Sequence, residues 1–192
     1  MGARHPSRPI GSSFRSGGTP FLYEGEELGL LDAVVAPDQR LDPVDRDGCR
    51  APVPWTRAAP HGWGPHPWLP LPPESDVRSV EAERADPASV LHLYRRLLAL
   101  RRATPALRLG SITLADERDD DVIVWDRQLG PERRRVVVSF STESRQVSDL
   151  VEWSPGRRWR VELASDGRGE GEVFSGRLAP TQAVVLGPDP SG

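Results

Sequence analysis

The chain of 192 residues contains one cysteine, no lysine and no long apolar run. A single cysteine excludes an internal disulfide framework and fits a cytoplasmic protein. No apolar stretch approaches the ~18 residues that a membrane-spanning helix needs, so we expect no membrane partner. The net charge of −3 gives no electrostatic reason to expect nucleic acid as a partner. All 25 basic residues are arginine, which we attribute to a GC-rich codon composition and not to binding.

The first half of the chain has little periodicity. Residues 1–17 are rich in glycine, serine, proline and arginine and lack the apolar core of a signal peptide, so we expect them to be disordered. The apolar run from Thr19 to Tyr23 is typical of a buried strand. More than half of the 20 prolines and half of the 6 tryptophans lie between Pro37 and Pro87. This segment predicts a long loop, and loops of that length are often functional.

The second half has clear periodicity. A helix is predicted to begin at Asp86, with an N-cap carboxylate and a proline in the first turn, and to end at Thr104–Pro105. Its apolar face consists of Val90, Leu91, Tyr94, Leu97 and Leu98. After Pro105 the pattern changes to a period of two, which is typical of strands and favours an antiparallel sandwich. Seven short strands are predicted, at Ser111–Leu114, Val122–Asp126, Val136–Phe140, Gln146–Leu150, Trp159–Leu163, Val173–Leu178 and Ala183–Leu186.

Four stretches occur in a fixed order along the chain: GTPFLYEGEELGL, RDGCRAPVPW, PWLP and DPASVLHLYRRLLALRRATPAL. Together they resemble the C-terminal third of α-glucosidases of glycoside hydrolase family 13, the α-amylase superfamily, and in particular its oligo-1,6-glucosidase branch. The resemblance covers about residues 17–187. We therefore expect the chain to be a truncated member of that family.

The resemblance implies an α+β fragment. Its parts would be the last strand, long loop and helix of a (β/α)8 barrel, followed by an antiparallel β-sandwich that is called domain C in this family. The implied boundaries are 1–17 for a disordered or unrelated N-terminus, 18–105 for the barrel end, 106–187 for domain C and 188–192 for a tail. The long loop would lie on the barrel face where such enzymes keep their active sites.

The chemistry implied by the resemblance is retaining hydrolysis of α-glucosidic bonds, with an α-glucoside oligosaccharide as the ligand. One carboxylate attacks the anomeric carbon, a second acid protonates the leaving oxygen, and a third carboxylate holds the distorted sugar. In the family these groups lie on the fourth, fifth and seventh strands, all of which precede the eighth. We therefore expect no catalytic residue, no cofactor and no hydrolytic activity in this chain alone.

Two residues of the RDGCRAPVPW stretch match a substrate-binding motif of the family. The resemblance implies that Arg46 pairs with a carboxylate from an early barrel loop and contacts a sugar hydroxyl, with Asp47 beside it. A guanidinium suits this role because its fixed fork of donors serves a carboxylate and a hydroxyl together. Since that carboxylate has no counterpart here, we expect a vestigial site. The alternative is an Asp-Gly surface turn with a solvated arginine.

Three further charged residues are interpreted as structural parts of the loop. Glu26 and Glu27 form the one carboxylate pair at a strand end, but adjacent side chains cannot face one bond from both sides. We expect one to orient the loop while the other faces the barrel wall. Arg50 is expected to anchor the loop to Glu26 or Glu27.

The uncharged candidates also favour structural roles. Trp55 is expected to pack the loop on the barrel, although stacking on a sugar ring is the alternative. Cys49 is expected to be a small buried filler. His61 and His66 are too few for a metal site, which needs three or four ligands.

Three functional interpretations remain open at this point. The chain could be an inactive remnant of an α-glucosidase, or its β domain could act as a sugar-binding or interaction module. It could also be half of a split enzyme, in which a partner chain supplies the other barrel strands. Hydrolase, isomerase and transglycosylase relatives share this C-terminal third, so the linkage specificity is also open.

Overall fold

The computed structural model describes residues 20–115, 120–148 and 158–190. The predicted disorder of residues 1–17 lies outside these ranges, as does the end of the predicted strand Gln146–Leu150, residues 149–150. The chain divides into two compact units, Phe21–Arg95 and the described residues of Arg96–Gly192, and the division falls within one long helix. The two units are described separately below.

The first unit consists mainly of irregular backbone, as predicted for the long loop. Among its described residues, 3₁₀ turns lie at Glu26–Leu28, Pro37–Gln39 and Gly48–Arg50. Helix α1, Val80–Ala85, is short and was not predicted. Ser79 caps it, because its hydroxyl oxygen accepts the backbone N–H of Ala82 at 3.1 Å.

The strand predicted over Thr19–Tyr23 does not form in its described part, residues 20–23. The side chains of Phe21, Leu22 and Tyr23 are 88%, 44% and 49% exposed. A strand needs a neighbour for its backbone hydrogen bonds, and no described segment pairs with these residues. An apolar run forms a buried strand only where a partner strand lies beside it, so the strand prediction is wrong for residues 20–23.

Helix α2 spans Val90–Ala103 and begins four residues after the predicted start. The Asp86 carboxylate accepts the N–H of Ala88 at 2.9 Å, which stabilises a turn before the helix. The hydroxyl of Ser89 accepts the N–H of His92 at 3.3 Å and caps the helix instead. The predicted end at Thr104–Pro105 is confirmed, since Pro105 begins the next helix, α3, which spans Pro105–Leu109.

The second unit contains two antiparallel sheets, and all seven predicted strands have a counterpart in them. The larger sheet has the order β1-β2-β3-β7-β5 and the smaller one the order β4-β6. In the larger sheet β1 has the predicted bounds and the other four strands are longer than predicted, whereas both strands of the smaller sheet are shorter. The bounds are Ser111–Leu114 (β1), Val122–Leu129 (β2), Glu132–Ser139 (β3), Arg145–Gln146 (β4), Trp159–Ala164 (β5), Arg177–Leu178 (β6) and Ala183–Pro188 (β7).

The main core cluster of the second unit lies on one face of the larger sheet, and Trp125, Val136 and Val138 are buried on the opposite face. Val124 and Val137 are Cα partners on β2 and β3, and both are fully buried. The alternation that defines strands also places these valines on a common face. The buried core cluster comprises Val122, Val124, Val137, Val147, Trp159, Val161, Ala164, Leu178, Val184 and Leu186.

A buried ion pair continues this core face toward the end of the sheet. Asp126 and Arg135 are Cα partners. Two guanidinium nitrogens of Arg135 donate to the two oxygens of the Asp126 carboxylate, each at 2.8 Å. The guanidinium lies 5.4 Å from the ring centre of Trp159, within cation–π range. Burial raises the pKa of Asp126, but hydrogen bonds from Arg135 and Arg133 outweigh it and hold that pKa below its ordinary value.

The residues predicted as a tail continue the packed structure as far as they are described. Pro188 belongs to β7, and Asp189 is buried. Asp189 accepts a hydrogen bond from Arg160 at 2.9 Å. In the described part of the chain, the longest helix is too short and too polar to cross a membrane.

Candidate functional site

The loop that contains Arg46 is held against the chain by a glycine. The N–H of Ala33 donates to the carbonyl of Gly48 at 3.0 Å. A Cβ at position 48 would lie 2.7 Å from the Ala33 carbonyl oxygen, so any larger residue would push the two segments apart. Gly48 starts the 3₁₀ turn Gly48–Arg50. The glycine of RDGCR is therefore required by this close approach.

Arg46 is held by a carboxylate of its own loop. Its Nε donates to one oxygen of Asp42 at 2.5 Å, and its Nη2 donates to the other at 3.2 Å. The Asp42 side chain is only 3% exposed, whereas the Arg46 side chain is 57% exposed. Asp42 is therefore a partner of Arg46 that was not predicted, and the vestigial role of Arg46 in sugar binding stays a prediction. The guanidinium of Arg46 is oriented by Asp42 and still has N–H groups that face solvent.

The Asp42 carboxylate contacts the guanidinium groups of two arginines. Nη1 of Arg50 lies 3.3 Å from the oxygen that also accepts Nε of Arg46. The pKa of Asp42 is lowered from 3.8 to about 2, chiefly by the hydrogen bond from Arg46 and to a smaller extent by the charge of Arg50. Asp42 is therefore ionised at neutral pH. The expected pairing of Arg50 with Glu26 or Glu27 is wrong, because the nearer carboxylate of Asp42 takes it.

Asp47 is buried, and its carboxylate accepts hydrogen bonds from the backbone of the loop. It is 2% exposed. One carboxylate oxygen accepts the N–H of Leu41 at 2.7 Å and the N–H of Asp42 at 3.0 Å. These two bonds fix the segment that carries the Asp42 carboxylate. Asp47 thus braces the partner of Arg46, and a direct contact between Asp47 and substrate stays a prediction.

Glu26 and Glu27 lie in the 3₁₀ turn Glu26–Leu28. Glu27 accepts the N–H of Gly25 at 3.0 Å, which fits the predicted orientation of the loop by one of the pair. Glu26 is exposed. Burial, followed by the charges of Glu26 and Glu27, raises the pKa of Tyr94 to about 12. From its spacing, Tyr94 was predicted only to lie on the apolar face of the helix.

The uncharged candidates take different positions. The backbone of Trp55 bonds to His61 and Glu81, at 2.9 and 3.1 Å, while its side chain is 52% exposed. Trp55 therefore holds the loop through its backbone, and its indole remains accessible. The thiol of Cys49 is half-buried and donates to the carbonyl of Arg46 at 3.1 Å, so the prediction of a buried filler is wrong.

The histidines make separate contacts. Nδ1 of His61 lies 2.9 Å from the carbonyl oxygen of Thr56, and His66 is exposed. Across residues 20–115, 120–148 and 158–190, no three histidine, cysteine or acidic side chains come together as metal ligands do.

The residue that sequence reasoning missed is Asp42. Its signal was the spacing of opposite charges, Asp42 and Arg46, four positions apart. That spacing is usually informative within a helix, and this loop has no helical pattern.

The comparisons with known proteins bear on this loop and on the β domain together. The family described as alpha amylase, catalytic domain, matches residues 12–110, more than half of the chain. The chain belongs to the alpha-amylase family. The match covers the whole loop with Asp42, Arg46 and Arg50.

Two curated relatives of this family carry glucosidase names. The chain is 40% identical over 137 residues to a probable alpha-glucosidase of Rhizobium meliloti, and the aligned region covers 66% of this chain and 25% of that protein. It is 28% identical over 155 residues to the oligo-1,6-glucosidase of Parageobacillus thermoglucosidasius, and this aligned region covers 66% of this chain and 28% of that protein. The chain thus spans about a quarter of the length of these relatives.

A solved structure of the alpha-amylase family has the same fold over nearly the whole chain. The trehalulose synthase of Pseudomonas mesoacidophila MX-45 matches with a TM-score of 0.77 and 25% identity, over 92% of this chain and 37% of that one. The predicted fold class is confirmed: the chain is an α+β fragment with the end of a barrel domain followed by antiparallel β structure.

Proposed function

We propose that this chain supplies the substrate-positioning loop and the C-terminal β domain of a retaining α-glucosidase, and that it does not hydrolyse glucosides alone. The observation that carries the proposal is the clamp between Arg46 and Asp42. It orients an exposed guanidinium without help from another part of a barrel. The names of the two glucosidase relatives support an α-glucoside as the ligand.

Arg46 would act by hydrogen bonding. Its Nε and one Nη2 hydrogen are engaged by Asp42, which leaves the outer donors for a sugar hydroxyl. Asp42 remains charged across the physiological range because its pKa lies at about 2. The guanidinium therefore stays fixed as the sugar binds, and little side-chain entropy is lost at that step.

Cleavage requires two carboxyl groups on opposite sides of the glycosidic bond. No residue of this chain matches the three catalytic carboxylates that the family resemblance implies. Glu26 and Glu27 are neighbours in one turn, and Glu27 is engaged by the N–H of Gly25. We therefore assign the chain substrate positioning and assign catalysis to residues of the parent domain.

A chimera tests this function. The chain replaces the matching region of the R. meliloti relative, and release of p-nitrophenol from p-nitrophenyl α-glucoside is measured. We expect the chimera to be active and Arg46→Ala to lower kcat/KM by about tenfold or more, because a hydrogen bond from a charged group is lost. Arg57→Ala is the control, since Arg57 is exposed in the same loop and its side chain has no ion pair among the described residues. Equal activity of the Arg46→Ala and unmodified chimeras would contradict the proposal.

A split enzyme is a second candidate, favoured by the exposed apolar side chains of the first unit. Phe21, Val34 and Leu41 are 88%, 85% and 73% exposed. A chain that carries the other barrel strands would cover such exposed apolar side chains. The partner would be a chain that carries the other barrel strands, in the cytoplasm. Adding that part of the relative as a separate polypeptide should restore hydrolysis if this candidate is correct.

A further inference from the structure

The β domain contains a cavity that the Arg46 loop does not share. Its volume is about 280 Å³, and it lies between β5, β6, β7 and residues 168–175. Val161, Leu178 and Val184 form its apolar base, and all three belong to the buried core. The volume is just below the roughly 300–1,000 Å³ of typical ligand pockets, which suits a single ring.

The walls of this cavity are fixed by backbone hydrogen bonds to β5. The N–H of Val161 donates to the carbonyl of Glu172 at 2.9 Å, and the N–H of Phe174 donates to that of Trp159 at 2.8 Å. Phe174 is half-buried against the core cluster. Gln182 is held by Asp166 and by the N–H of Ala179, at 2.8 and 2.9 Å. The cavity is therefore preformed, which lowers the entropy lost on binding.

The polar groups around the cavity carry both signs of charge. Arg168, Glu172 and Arg177 are exposed residues of its lining. Arg168 pairs with Asp166 at 3.8 Å, whereas Glu172 and Arg177 form no ion pair within residues 20–115, 120–148 and 158–190. The Glu172 carboxylate is an acceptor that an ionised phosphate, itself an acceptor, cannot use. A neutral ligand with several hydroxyl groups can use the carboxylate as acceptor and the guanidinium groups as donors.

We propose that this cavity binds a hexopyranose unit, with its apolar ring face toward Phe174 and its hydroxyl groups toward Glu172 and Arg177. The choice of an α-glucoside as the sugar rests on the proposed function. The cavity would hold sugar away from the Arg46 loop. It would thus give the β domain a binding role that needs no catalytic carboxylate.

Calorimetric titration of the full chain with methyl α-glucoside and with isomaltose tests this site. We expect saturable binding of both sugars, and we expect Arg177→Ala and Glu172→Gln each to lower the association constant by about tenfold. Arg108→Ala, an exposed arginine of α3 outside the cavity, should leave the constant unchanged. Circular dichroism of each variant establishes that it is folded.

The other outcomes overturn the proposal. Absence of sugar binding by the unmodified chain would do so, and would leave the chimera result for Arg46 unaffected. Binding that is lost in Arg46→Ala but retained in Arg177→Ala would locate the sugar at the loop instead. Binding of inorganic phosphate that depends on Arg177, without sugar binding, would identify an anion site.

Discussion

The brace made by Asp47 provides the sharpest test of how the loop is built. Its buried carboxylate accepts two backbone N–H groups, at 2.7 and 3.0 Å. Asp47→Ala leaves both donors without an acceptor inside the structure. A hydrogen bond to a charged group contributes roughly 1.5–3 kcal/mol, so we expect local opening to become easier by about 3 kcal/mol. That corresponds to an increase of roughly 150-fold in the opening equilibrium.

Amide hydrogen exchange measures this opening directly. The N–H groups of Leu41 and Asp42 should exchange roughly 150-fold faster in Asp47→Ala, because exchange requires the loop to open. Asp47→Asn keeps an oxygen acceptor but loses the charge, so we expect a smaller increase of about tenfold. Asp38→Ala is the matched control, since Asp38 is an exposed carboxylate of the same loop.

The reasoning would be refuted if Leu41 and Asp42 exchanged at the same rate in Asp47→Ala and in the unmodified chain. Such a result would mean that the two short hydrogen bonds contribute no net free energy. If Asp38→Ala accelerated exchange as strongly as Asp47→Ala, loss of negative charge would explain the effect, and the geometry of the brace would not.

Three further predictions concern ionisation. Asp126→Asn should lower the free energy of unfolding by about 3–5 kcal/mol in denaturant titrations, because Arg135 loses its buried charge partner; an unchanged midpoint would contradict this. The pKa of Asp42 is lowered to about 2, so its ion pairs are fully formed above 3.8 and are lost as the pH falls through about 2. NMR titration of this carboxyl should give that midpoint, and a value near 3.8 would rule out the clamp. In Tyr23→Phe, Tyr94 is the remaining tyrosine, and its absorbance change should occur near pH 12. Because its raised pKa makes the folded state bind the proton more tightly than the unfolded state, the free energy of unfolding should fall as the pH rises above 10. An absorbance change centred near pH 10 would disprove the burial of Tyr94.

The β domain could be predicted from the sequence because alternation alone determines which side chains face the core. The seven predicted strands correspond to β1–β7. The end of α2 was equally readable, since Pro105 cannot continue a helix. In both cases the pattern lies within neighbouring residues.

The loop could not be predicted in the same way. The clamp on Arg46 depends on Asp42, Asp47 and the close approach at Gly48, and no periodic pattern connects them. Arg50 has several carboxylates within a short distance along the chain, and only the three-dimensional path selects Asp42. The start of α2 was predicted incorrectly for a related reason, because Asp86 and Ser89 are both suitable N-cap residues. The Asp86 carboxylate accepts a hydrogen bond within a turn before the helix, and Ser89 caps the helix.

The central claim is that this chain positions a glucoside and does not cleave it. The most direct measurement is release of p-nitrophenol from p-nitrophenyl α-glucoside by the purified chain alone, with the unmodified R. meliloti relative as the positive control. The account predicts no release above the buffer rate. Release that disappears in Arg46→Ala would show that the chain contains its own catalytic groups, and would contradict the account.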